Sequence, residues 1–192
     1  MRTVSRGHHT ASVAACALSI VSALVLSGCA SAPAPIPSGT PTEAAPLFAS
    51  DEEALAAATE AYAAYLEVID QVLAAPEIDT TRFSEVLTGE ALESELESAN
   101  MYIERGYRSI GISSFDSLTI QSINSDPGSS SVSTYLCSDV SEVDVVDGEG
   151  ASIVPATRAD RFPLVVEFRP SDLTASGLLI SSSESWAGTN FC

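Results

Sequence analysis

The hydrophobic pattern of this chain changes period once, near Gly106, and that change limits its fold more than any other feature. Upstream, Leu55, Ala58, Tyr62, Tyr65, Leu66, Ile69, Val72 and Leu73 recur at helical spacing, with Glu60, Glu67 and Asp70 off the stripe, which predicts an amphipathic helix. Ser50-Asp51-Glu52-Glu53 reads as its capping box, the Ser50 hydroxyl meeting the Glu53 amide and the Glu53 carboxylate the Ser50 amide. Pro76 stops the helix after Ala75, because a proline ring clashes with the preceding turn. A short helix is predicted over Thr81 to Leu87. Leu92, Leu96, Ala99 and Ile103 predict a third, closed at Gly106 by a left-handed cap.

Downstream the period is two. Phe115 to Ile123 reads as a strand ended by the turn Asp126-Pro127-Gly128. Ser131 to Val140 alternates, with Val132, Thr134, Leu136 and Val140 on one face and Tyr135 and Cys137 on the other. Val143 to Val146 and Ala151 to Val154, joined by Asp147-Gly148-Glu149-Gly150, predict a hairpin or irregular excursion. Phe162 to Phe168 and Leu178 to Trp186 complete the sheet. Helices followed by strands predict an α+β fold, N-terminal helices packed on a curved, mostly antiparallel sheet.

The first residues carry an address. Arg2 and Arg6 precede an apolar run from Ala11 to Leu26, the charged and hydrophobic regions of an export signal. The run is shorter than the roughly 20 residues a spanning helix needs. It ends in Leu26-Ser27-Gly28-Cys29, which resembles the lipoprotein box of bacteria. That resemblance implies cleavage before Cys29 and a diacylglycerol on its sulfur, placing the chain at the outer face of the cytoplasmic membrane. The expected organisation is a signal peptide over residues 1–28, a lipidated cysteine and flexible Ala/Pro-rich linker over 29–49, and one α+β domain over 50–192. The segment from Ala30 to Leu47 contains five prolines and too little apolar surface to fold by itself.

Without residues 1–28 the chain keeps six arginines against 26 acidic residues, a side-chain charge of −20, and it has no lysine. So acidic a surface repels nucleic acid and anionic headgroups, so no nucleic-acid partner is expected and lipid must provide the anchor. Both histidines, His8 and His9, fall in the signal, which leaves no imidazole for a Ser-His-Asp or Cys-His site or for metal ligation. Cys16 leaves with the signal and Cys29 takes the lipid, so Cys137 and Cys192 are expected to form a disulfide; a free thiol or metal pair is the alternative. No cofactor or metal is expected.

The element order from Ser50 to Cys192 is similar to the NTF2-like cone fold of ketosteroid isomerases, SnoaL-type cyclases and small actinobacterial lipoproteins. The stretch Cys137 to Gly150 and the closing Cys192 resemble the uncharacterised lipoprotein branch. That resemblance implies a cone pocket, for which Tyr62, Tyr65, Tyr102, Tyr135, Glu167 and Trp186 are the candidate lining residues. Tyr107 is a further tyrosine that could face it. Glu167 stands out because it interrupts an apolar strand, and a phenol beside a buried carboxylate can move protons. Arg158 and Arg161, flanking Asp160, are candidates to grip a carboxylate ligand. Asp139, Glu142, Asp144, Asp147 and Glu149 read as a solvated acidic hairpin in preference to a calcium loop, since Val143 and Val145 stand where ligands are needed. The leading expectation is a non-catalytic domain that binds a small apolar ligand or a protein partner. The alternative is an isomerase or dehydratase with a Tyr/carboxylate pair; a solute receptor would need a second lobe.

Overall fold

The computed structural model describes residues 46–192. The signal over 1–28, the lipid site Cys29 and the linker as far as residue 45 lie outside the described residues. α1 (Asp51–Ala74) opens as the sequence predicts, the Glu53 amide donating to Ser50 Oγ at 3.2 Å. The returning bond is displaced by one residue: Glu53 Oε2 accepts from the Ala49 amide at 2.8 Å. The folded unit begins ahead of Ser50. Leu47 and Phe48 pack against the core, and the Leu47 amide donates to Ser125 Oγ at 3.1 Å, so the last residues of the expected linker are held by the domain.

Asp79 caps a 3₁₀ turn over Thr80–Glu85, which stands where a short helix was expected. α2 (Gly89–Arg105) ends at Gly106 in the left-handed region, with the Tyr107 amide returning to the Tyr102 carbonyl. A short strand follows that the sequence did not suggest, β1 (Arg108–Ile110); three residues are too few to display alternation.

β2 (Ser114–Asn124), β3 (Ser131–Asp139), β5 (Arg161–Pro170) and β6 (Leu178–Ser185) form an open antiparallel sheet in the order β2-β3-β5-β6. β4 (Asp144–Val146) pairs with β1 as a separate two-stranded sheet, and the Ile153 amide donates to the Val145 carbonyl. The excursion is therefore tied to the end of α2 as well as folded on itself. Both edges of the main sheet are blunted. β6 is covered where the Thr88 amide meets the Ile180 carbonyl and the Ile180 amide meets the Val86 carbonyl. β2 is broken by two register shifts, one carrying Ser117 at φ 57°.

The core lies between α1, the 3₁₀ turn and one face of the sheet. Phe83, Leu87, Leu136, Phe168, Leu178 and Ile180 are fully buried, and burial of each contributes roughly 1.5–3 kcal/mol. Thr134 sits among them with its hydroxyl donated to the Val166 carbonyl. Ala54, Ala61 and Val68 are buried on α1 although they lie off the expected stripe, because the helix touches β1, β2, β6 and the 3₁₀ turn at once. Leu55, which the stripe included, is only half-buried.

Candidate functional site

Strand register decides which expected lining residues share a face. On β3, Val132, Thr134 and Leu136 are buried and lie opposite Phe168, Val166 and Leu164 of β5. Tyr135 and Cys137 alternate outward, paired with Val165 and Pro163. The interior face thus carries apolar side chains along both central strands.

Tyr62 and Tyr65 project from α1 onto this interior. Tyr62 is buried edge-on against Phe115 at a ring separation of 4.8 Å, and burial pushes its phenol well above the ordinary range. Tyr65 donates its hydroxyl to Glu95 Oε1 of α2 at 2.7 Å. Burial, then the adjacent Glu95 charge, raises the Tyr65 phenol; burial also raises the Glu95 carboxyl, a shift that the Tyr65 bond opposes. A cavity of about 80 Å³ adjoins the pair, lined also by Leu87, Ser94, Ile180 and Ser183. Sequence reasoning missed Glu95, yet it had a signal: Ala91, Glu95, Ala99 and Tyr102 follow helical spacing, which sets a carboxylate on the inward stripe of α2.

Three expected pocket residues lie elsewhere. Glu167 faces outward between Ser133 and Ser182 and pairs with Arg169 at 2.9 Å, because alternation along β5 turns it away from Val166 and Phe168. Tyr135 and Trp186 also lie on the outer face. Their rings meet edge-on at 5.1 Å, with Phe191 6.1 Å from Tyr135, beside the disulfide that joins Cys137 to Cys192. Gly188 packs so closely on the Trp186 indole that a Cβ would overlap it. Tyr102 stays near the interior end of α2, half-buried and edge-on to Tyr107 at 6.1 Å. The expected set therefore divides between two faces of the sheet and the end of α2.

The two arginines are occupied by the protein itself. Arg158 Nη2 donates to the carbonyls of Val140 and Val143, each at 2.8 Å, and lies 3.5 Å from Asp160; its Nε is buried without a partner. Arg161 bridges Asp116 at 2.8 Å and Asp139 at 3.2 Å. Neither presents a vacant fork to a carboxylate ligand; both fasten the 139–160 excursion. The acidic residues there bond locally: Asp144 Oδ1 accepts from Ser152, and Asp147 Oδ1 from the amides of Glu149 and Ala151. Among the described residues no three His, Cys, Asp or Glu side chains converge as a metal site.

A wider concavity lies outside the core. It is an open cleft of about 670 Å³ where the C-terminal ends of α1 and α2 meet the turn Asp147-Gly148-Glu149-Gly150, with Ile78, Tyr102 and Tyr107 among its walls.

No family model matches the chain. No curated protein matches it. Among solved structures it is similar to the intermembrane space region of the chloroplast protein ARC6, at 16% identity and a TM-score of 0.50, over 70% of this chain and 97% of that one. It is also similar to Aln2 from a Streptomyces species, at 19% identity and a TM-score of 0.40, over 70% and 90% of the two chains. A periplasmic fragment of TraM matches at 14% identity and a TM-score of 0.42, over 72% and 98%. At such identities the first likeness speaks for the α+β fold alone.

Proposed function

We propose that this protein is a lipid-anchored, extracytoplasmic lipoprotein whose NTF2-like domain acts without catalysis, by docking a protein partner on its surface. One observation carries the reading: the sheet's interior face is filled by Phe83, Leu87, Leu136, Phe168 and Ile180, and a cavity beside them measures about 80 Å³. Pockets for small organic ligands span about 300–1,000 Å³. An apolar ligand enclosed on the sheet's interior face is thereby disfavoured, and docking on the outer surface remains. The LSGC sequence supports lipid attachment at Cys29, and the Cys137–Cys192 bridge suits an oxidising compartment. Among the described residues no helix is long and apolar enough to cross a membrane.

A second reading, a proton-transferring enzyme of the isomerase or dehydratase kind, is favoured by the Tyr65–Glu95 bond alone. It is the weaker one, because the adjoining cavity has room for little beyond a few waters.

The absence of lysine supplies a test. Carbodiimide joins carboxylates to amines, so apart from the chain's own terminal amine every amide it forms on this protein reports another molecule. Treating membranes that carry the full chain is expected to yield one defined protein adduct. Native mass spectrometry that instead finds a retained small molecule, with no protein adduct formed, would sink the docking reading.

A further inference from the structure

The open cleft between the helix ends has an electrostatic character that its lining explains. α1 ends at Ala74 and α2 at Arg105, and Ala75, Pro76, Ile103 and Gly106 all line the cleft, so two helix C-termini converge on it. Each such end carries about half a negative charge from aligned peptide dipoles. α1 has no basic residue in its last turn to offset this, whereas α2 has Arg105. Glu77, Asp147 and Glu149 add three carboxylates, against Arg108 as the basic residue in the lining. Between them stand the Tyr102 and Tyr107 rings and Ile78, and Ile103 at the rim is 53% exposed. Apolar walls beside a negative end suit a long cationic side chain, whose stem packs on the rings while its head meets the carboxylates.

Resting on the docking reading above, we propose that this cleft receives a basic segment of a partner protein, its arginine or lysine side chains directed at Glu77, Asp147 and Glu149. The expected linker offers no cation to fill the cleft. Between Cys29 and Pro46 the chain has neither arginine nor lysine. A second copy is also a poor occupant, since each chain carries a formal charge of −18. A cleft open along one side does not enclose a free amine, but it admits side chains projecting from a second surface.

The test is fluorescence anisotropy on the full chain in detergent micelles. The probe is a short fluorescein-labelled, N-acetylated peptide of alternating arginine and leucine, with an alternating glutamine and leucine peptide as comparison. Ile103→Arg places a cation at an exposed rim position, and Glu149→Arg places one in a turn, so neither disturbs the core. Each is expected to weaken the arginine peptide about tenfold. Glu93→Arg, exposed ten residues back along α2, is expected to leave affinity unchanged. Absence of binding, equal binding of the glutamine peptide, equal weakening by Glu93→Arg, or displacement by free arginine amide at the peptide's own concentration would each overturn the proposal. A partner captured by carbodiimide on carboxylates elsewhere, with no peptide bound at the cleft, removes the cleft and leaves surface docking standing.

Discussion

Glu95 shows how one carboxylate on an apolar stripe couples folding to pH. In the folded chain burial holds its carboxyl above the ordinary 4.5, while the unfolded chain ionises at the ordinary value. Stability from this group is complete below that value and is lost as pH rises through the folded pKa, because the unfolded state releases its proton first. Glu95→Gln keeps an acceptor for Tyr65 and removes the titration, so its stability relative to the parent is expected to climb from acid toward neutral pH. Urea midpoints across that range check this, and a constant difference would contradict it. At Gly111 backbone geometry and space both call for glycine. It sits at φ 91°, and a Cβ there would overlap the Glu142 carbonyl oxygen. Gly111→Ala is expected to cost about 2–3 kcal/mol in urea unfolding.

Among elements, the 139–160 excursion and the segment after β6 depend on tertiary fastenings more than on their own propensities. The first is held by Arg158 on two carbonyls and Arg161 between two carboxylates. The second is held by the Cys137–Cys192 bridge and by the packing of Trp186 and Phe191 on Tyr135. The bridge closes a loop of 55 residues, worth about 4 kcal/mol on the chain-entropy argument. Cys192→Ser is expected to lower the thermal midpoint by roughly 10 °C. Calorimetry of the oxidised parent and the variant checks this; coincident midpoints would mean that the bridge constrains little.

For the whole molecule, the proposed surface docking rests on the filled interior face of the sheet. Charge bears on that proposal, since 26 acidic residues and no lysine give a surface that repels polyanions. If Cys29 carries the anchor, Cys29→Ser is expected to shift the protein from the membrane fraction to the medium, read by fractionation and immunoblot. Retention of the variant in membranes would refute the lipid tether.

Local signals determined the α+β class, the span of α1 between its capping box and Pro76, the Gly106 stop of α2 and the faces of β3, because each records a repeat or a cap within one segment. The Cys137–Cys192 pairing was likewise legible, by elimination among four cysteines. Tertiary structure decided the rest. Glu167 drew notice for its chemistry, but strand register turned it to solvent, while Glu95 was carried to Tyr65 by the packing of α2 on β6 and the 3₁₀ turn. β1 exists only because β4 pairs with it, and the cleft only because two helix ends and a distant turn converge. Residues far apart in the chain meet through packing, and a repeat read along one segment carries no record of what a second segment places opposite it.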